Sequence, residues 1–131
     1  MHKQALITGL ICAGLGVVIG AFAAHGLKPR MDLVQQQTFE TGVRYQMYHS
    51  FALIALALIG AHFPGEKIHW AFICFTLGII CFSGSLYALA LLKMNGKVGL
   101  GGIGIITPIG GLFFILGWLF TLLSVLQQKN A

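Results

Sequence analysis

The chain has 131 residues, of which 57% are hydrophobic and only 8% charged, and its formal net charge is +5 at pH 7. A soluble domain carries about 25% charged residues, so this composition excludes a water-soluble globule, which could not cover so much apolar surface. The basic residues lie between apolar stretches and form no patch or stripe, which excludes a nucleic-acid-binding surface.

Four apolar stretches without Asp, Glu, Lys or Arg follow one another along the chain, at residues 6–24, 45–63, 70–92 and 103–126. Each has the length that an α-helix needs to cross a bilayer, which is about 20 residues. We therefore predict one all-α domain, residues 1–131, that spans the membrane as an antiparallel four-helix bundle. So little chain lies outside these spans that an extramembrane domain is excluded.

Small residues form a stripe along the first predicted span. Gly9, Ala13, Gly16, Gly20 and Ala24 recur at steps of three or four, so they share one side of a helix. Such stripes allow two helices to approach closely in lipid. We predict that this side packs against another helix, either in the same chain or in a second copy.

The start of the second helix carries a capping signal. Asp32 is followed three residues later by Gln35, which is the spacing of a capping box. Pro29, just before it, prevents the first helix from continuing. The second helix is therefore predicted to begin near Leu33, well before the apolar stretch that starts at Tyr45.

The other two connections are rich in glycine and proline. Pro64 and Gly65 mark a tight turn between the second and third spans, which predicts that these spans are antiparallel neighbours. Five glycines in residues 95–104 predict either a flexible connector or a close approach of backbones. Further glycines of the third and fourth spans are predicted to pack between helices: Gly84, Gly110, Gly111 and Gly117.

Polar side chains of the spans gather near one membrane face. In an up-and-down bundle, eight of them belong to the half beside the first and third loops: His25, Tyr45, Gln46, His49, Ser83, Ser85, Tyr87 and Thr107. An unpaired polar group in hydrocarbon costs several kcal/mol, so these side chains are predicted to face each other.

Several kinds of site are compatible with this polar cluster. His25 and His49 could hold a metal or haem, tyrosine and histidine could hydrogen-bond a quinone or a lipid headgroup, or the cluster could relay protons. The other interpretation is a hydrogen-bonded network that fixes the packing of the bundle. Two histidines without a carboxylate or thiolate partner make a weak metal signal, so no metal site is predicted and the cofactor stays open.

Catalysis has little support among these residues. The acidic residues Asp32, Glu40 and Glu66 all lie outside the predicted spans, so neither Ser83 nor Ser85 has an acid that could orient a histidine beside it. We therefore predict a non-enzymatic module whose partner is the lipid bilayer. The alternative is a structural or assembly subunit that packs through its glycine faces against a second copy or another membrane protein.

The basic residues predict the orientation of the bundle. Five of them flank the first and third loops and three lie on the other side, so the first and third loops are predicted to be cytoplasmic. The two groups are Lys28, Arg30, Arg44, Lys93 and Lys97 against Lys3, Lys67 and Lys129.

Four motifs in this order resemble one known family. They are Gly-Ala-Phe-Ala-Ala-His at 20–25, Thr-Gly-Val-Arg-Tyr-Gln-Met-Tyr-His at 41–49, Phe-Ser-Gly-Ser-Leu-Tyr at 82–87 and Ile-Thr-Pro-Ile-Gly-Gly at 106–111. The chain resembles the DUF423 family of small bacterial inner-membrane proteins, also called UPF0382, to which animal transmembrane protein 256 is similar. The resemblance implies four spans in the bacterial cytoplasmic membrane and implies no particular mechanism.

Overall fold

The protein is built from helices joined by short connections. A computed structural model describes residues 1–127 and contains no strand among them. Lys129, one of the basic residues from which the orientation is predicted, lies outside the described residues. The five α-helices are α1 (Lys3–Phe22), α2 (Leu33–His62), α3 (Glu66–Gly78), α4 (Gly84–Met94) and α5 (Gly101–Gln127).

Two π-helical turns extend the first and third runs of helix. Ala23–Leu27 follows α1 directly and leads into a 3₁₀ turn at Lys28–Arg30, which contains Pro29. Ile79–Ser83 joins α3 to α4, so residues 66–94 form one continuous helical run. A π turn accommodates extra backbone within a helix and changes the direction of the side chains that follow it.

The predicted capping box is confirmed at the start of α2. The Asp32 Oδ1 atom accepts a hydrogen bond from the Gln35 backbone N–H at 2.8 Å, and Gln35 Oε1 accepts one from the Asp32 N–H at 3.2 Å. Helix α2 begins at Leu33 and has 30 residues. At about 1.5 Å per residue it is about 45 Å long, so it exceeds the thickness of a bilayer core.

Three helical runs among the described residues are long and apolar enough to cross a membrane, namely Lys3–Arg30, Glu66–Met94 and Gly101–Gln127. They contain the predicted spans 6–24, 70–92 and 103–126. Helix α2 contains most of the predicted span 45–63, but it also carries Gln46, His49 and Ser50, which lower its hydropathy.

Helix α1 packs on α2, α2 packs on α3 and α4, and α3 packs on α5. The small-residue stripe of α1 faces α2. A Cβ added at Gly9 would lie 2.8 Å from the Ser50 carbonyl oxygen, and one added at Gly20 would lie 3.3 Å from Val43 Cγ1. The partner of the stripe is therefore a helix of the same chain.

Two groups of buried apolar residues lie at opposite ends of the helices. The larger group joins α2, α3 and α5 through Leu53, Phe75 and Phe114. The smaller group lies beside the first loop and contains Leu27 and Phe39. The polar cluster is placed between the two groups.

Two glycine predictions need correction. Gly84 is exposed, and no neighbouring atom lies within 4 Å of the position that a Cβ would take, so it makes no helix contact. Helix α5 already begins at Gly101, which leaves only residues 95–100 as the third loop. No backbone approaches Gly101, Gly102 or Gly104 within that distance, because this first turn of α5 stands clear of the other described residues.

Candidate functional site

Gln46 joins three helices in the centre of the polar cluster. Its Nε2 donates to the carbonyl oxygen of Cys12 in α1 at 2.8 Å, and its Oε1 accepts from the Tyr87 hydroxyl in α4 at 2.7 Å. The side chain is only 5% exposed. Gly16 of α1 lies beside it and makes room for the neighbouring Met47, since a Cβ there would overlap the Met47 sulfur but would lie 3.5 Å from Gln46 Nε2, an ordinary contact. Both ends of the amide are thus used within the chain.

Hydroxyl groups form a second set of links between helices. Ser83 Oγ donates to the Gly42 carbonyl oxygen of α2 at 2.6 Å, and Ser85 of α4 is hydrogen-bonded to Thr107 of α5. Gly42 also leaves room for the Tyr87 ring, because a Cβ added at Gly42 would lie 2.8 Å from Tyr87 Cε1. The predicted polar residues Ser83, Ser85, Tyr87 and Thr107 therefore face other helices.

His49 is held as a neutral imidazole. Its Nδ1 lies 2.8 Å from the Tyr45 carbonyl oxygen, and its Nε2 lies 3.2 Å from Trp118 Nε1. A carbonyl oxygen only accepts and an indole nitrogen only donates, so the proton is assigned to Nδ1 and the lone pair to Nε2. The ring stacks on Phe114 with centroids 3.5 Å apart. Neither nitrogen of His49 is free for a ligand.

His25 lies apart from His49. It is exposed in the π turn after α1, whereas His49 is 5% exposed. Gly20 of α1 lies beside Val43 of α2, and Gly9 lies beside Ser50. Along the helix axes, His25 therefore lies on one side of Gly20 and His49 lies on the other. At about 1.5 Å per residue, the two histidines are separated by about 16 Å along the helix axes.

This separation excludes a metal or haem held jointly by the two histidines. Zinc and haem iron lie within about 2.1 Å of a histidine nitrogen, so two such ligands cannot be so far apart. Among residues 1–127, no group of three or more His, Cys, Asp or Glu side chains is placed to hold a metal ion. The geometry of the described residues therefore gives no support to a joint role of His25 and His49.

Tyr45 lies at the edge of the cluster and borders an open groove. Its side chain is 37% exposed, and its ring packs on Phe82 with centroids 4.6 Å apart. The groove has a volume of about 590 Å³ and continues along α5 past Pro108 and Trp118. It is an outward-facing, mainly apolar surface, with Tyr45 and His49 as its polar lining on α2.

The polar cluster is satisfied internally. Within residues 1–127, no buried side-chain nitrogen or oxygen lacks a hydrogen-bond partner. The buried members of the cluster are an amide, an imidazole and hydroxyl groups, each bonded to the chain itself. Such an arrangement can hold helices at fixed rotations and depths, because each bond requires one register.

Trp118 and Ser50 belong to the cluster although the polar pattern did not single them out. Ser50 Oγ donates to the Gln46 carbonyl oxygen at 2.6 Å and is fully buried. Its spacing of four residues from Gln46 was a usable signal. No sequence signal pointed to Trp118, because its contact with His49 depends on how α5 is rotated. Gly42, Gly60 and Gly78 are packing glycines that the sequence pattern also missed.

A second pair of histidines lies at the N-terminal end of α1, outside the polar cluster. His2 Nδ1 accepts from the Ala5 backbone N–H at 3.2 Å and so caps the helix. Its Nε2 lies 3.5 Å from His69 Nδ1. Partial burial, together with the neighbouring His69, lowers the pKa of His2 below its usual value.

The apolar helical runs and the inward polar side chains define an all-helical, multi-pass membrane protein. The chain belongs to the DUF423 family, described as proteins of unknown function, whose model matches residues 19–111. The family resemblance is thereby confirmed.

Named relatives cover almost the whole chain. It is 39% identical over 125 residues to the UPF0382 membrane protein SH2409 of Staphylococcus haemolyticus, which covers 95% of this chain and 97% of the relative. It is 33% identical over 125 residues to the UPF0382 inner membrane protein YgdD of Escherichia coli K12, covering 95% and 91%. No solved structure matches the chain. The predicted location in the bacterial cytoplasmic membrane is confirmed.

Proposed function

We propose that the protein is a non-enzymatic membrane module, an antiparallel bundle of four crossings whose polar cluster fixes the packing of its helices. The observation that supports this proposal is that the Gln46 side-chain amide is hydrogen-bonded to both α1 and α4. A ligand at Gln46 or His49 would first have to displace an internal hydrogen bond. The cluster therefore acts as a structural element of the bundle.

The fourth crossing in this proposal is α2. The residues that lower its hydropathy, Gln46, His49 and Ser50, are all buried against other helices. A hydropathy average counts such residues as if they met lipid, so it underestimates how well α2 fits a bilayer. Outward positions that follow them in α2, such as Phe51 and Leu58, are apolar and exposed.

The contacts between helices support antiparallel packing. Gly9, Gly16 and Gly20 of α1 lie beside Ser50, Met47 and Val43 of α2, so the numbers rise along one helix as they fall along the other. Phe75 and Gly78 face Gly117 and Phe114 in the same reversed order. These glycines are used inside the chain, which favours a self-contained bundle over an assembly subunit that docks through them.

Cysteine labelling will distinguish four crossings from three. With the native cysteines replaced by alanine, Lys3→Cys and Gln127→Cys variants are expected to react with a membrane-impermeant maleimide from the same side of the membrane. Asn95→Cys is expected to react from the opposite side, because it lies in the third loop. Permeabilised cells, in which all three react, provide the control. Labelling of positions 3 and 127 from opposite sides would rule out the fourth crossing.

Nitrogen-15 NMR of labelled histidine will test whether His49 is a packing residue or a ligand. In the gently extracted protein at neutral pH we expect a protonated Nδ1 and a bare Nε2, since Trp118 donates to Nε2. Trp118→Phe should shift the Nε2 signal, whereas His25→Gln should leave it unchanged. A protonated Nε2, or an Nε2 signal that moves when zinc or a soluble quinone is added, would contradict the packing role.

A further inference from the structure

A small cavity lies where the end of the first helical run meets the start of α2. Its volume is about 110 Å³, which is room for several water-sized groups. The floor is made of small or apolar side chains, and the rim is polar. The floor includes the buried Met31 and Phe39, and the rim includes Lys28, Gln36 and Glu40.

The rim offers both signs of charge and a neutral acceptor. Lys28 carries a cation on the first loop, and Glu40 carries a carboxylate on α2. Gln36 lies one helical turn before Glu40, so both are on the same face of α2. The Gln36 Nε2 donates to the carbonyl oxygens of Lys28 and Met31 at 3.1 and 2.9 Å, which leaves its Oε1 as an acceptor.

The cavity is placed at the level of lipid headgroups. Lys28 is in the last turn of Lys3–Arg30, one of the runs that are long and apolar enough to cross a membrane. Lys28 therefore lies where that run leaves the hydrocarbon, and Gly20 is about two helical turns inside it. The lining thus changes from apolar at Gly20 to charged at Lys28. A molecule with an apolar part beside Gly20 and a charged part beside Lys28 matches this change.

We propose that this cavity binds a headgroup that joins a primary ammonium to a phosphate, as phosphoethanolamine lipids do. The ammonium donates to the Glu40 carboxylate and to Gln36 Oε1, and the phosphate pairs with the Lys28 ammonium. This site is separate from the polar cluster and goes beyond the structural function proposed above.

The acceptors favour a primary ammonium over choline. A primary ammonium has three N–H donors, and Glu40 and Gln36 supply acceptors for them. A quaternary ammonium has no N–H and is held in proteins by several aromatic faces. Of the described residues that line the cavity, Phe39 alone is aromatic. The site should therefore distinguish ethanolamine from choline headgroups of the same chain length.

Native mass spectrometry of the purified protein will test this inference. The protein is titrated in detergent with dioleoyl phosphatidylethanolamine, phosphatidylcholine or phosphatidylglycerol. We expect phosphatidylethanolamine to bind at least about tenfold more tightly than phosphatidylcholine, as one or two charge-assisted hydrogen bonds would provide. Glu40→Gln and Lys28→Gln should each reduce this binding by about tenfold. Both residues are exposed, so the variants should fold.

Glu66→Gln is the matched control, because Glu66 is an exposed carboxylate in the first turn of α3, beside the second loop. It should keep the full preference for phosphatidylethanolamine. Competition by soluble glycerophosphoethanolamine at similar concentration would identify a free headgroup compound as the ligand, and its failure would identify the membrane lipid. Equal binding of the ethanolamine and choline lipids, or equal loss in Glu66→Gln and Glu40→Gln, would overturn the proposal.

Discussion

Gly110→Ala is expected to lower the free energy of unfolding by about 3 kcal/mol, at the upper end of what overpacking costs. A Cβ at Gly110 would overlap the backbone nitrogen and Cα of Phe82. Backbone atoms cannot rotate out of the way as a side chain can, so α5 would have to move away from the π turn that contains Phe82. That movement would also stretch the hydrogen bond between Ser85 and Thr107.

Gly111→Ala is the matched control for this effect. The nearest atom to a Cβ at Gly111 is Phe82 Cδ2 at 3.8 Å, which is an ordinary contact. Both variants gain the same helix propensity, about 1 kcal/mol relative to glycine, so their difference isolates the steric effect. The unfolding of both proteins in mixed micelles can be followed by circular dichroism as sodium dodecyl sulfate is added. Equal stabilities would show that α5 does not approach Phe82 this closely.

Gln46→Leu is expected to lower the free energy of unfolding by about 2 kcal/mol. Leucine has a similar side-chain volume, but it removes the hydrogen bond to the Cys12 carbonyl oxygen. It also leaves the Tyr87 hydroxyl without its acceptor. Single bonds between helices in lipid contribute about 0.6 kcal/mol on average, so the two lost bonds account for about 1.2 kcal/mol and the groups left unpaired account for the rest.

A double-mutant cycle with Tyr87→Phe tests this account. In the Tyr87→Phe background there is no hydroxyl group that Gln46→Leu could leave without an acceptor. The double variant should therefore be about 1 kcal/mol more stable than the sum of the two single losses predicts. Gln37→Leu, at an exposed position of α2, controls for the gain in hydrophobicity and should change stability by less than about 0.5 kcal/mol. Additive losses at positions 46 and 87 would exclude the bond between them.

Local composition was enough to predict the helices and several of their details. Lipid excludes charges wherever they occur along a chain, so uncharged stretches predict membrane helices without any knowledge of their partners. Three of the four stretches lie in helical runs that are long and apolar enough to cross a membrane. The capping box at Asp32 was equally accessible, because both of its hydrogen bonds join residues three apart. The stripe from Gly9 to Ala24 predicted a packing face, since the period of a helix alone places small residues on one side.

The sequence by itself therefore determined the class of protein, the location of its helices and the polar character of one region. The tertiary structure decided which polar groups meet: Tyr87 with Gln46, Trp118 with His49, and His25 with neither. A helix turns by about 100° per residue, so these pairings depend on rotation and register that periodicity cannot supply. The π turn at Ile79–Ser83 changes both within one run, and its last residue, Ser83, bonds to Gly42 of α2.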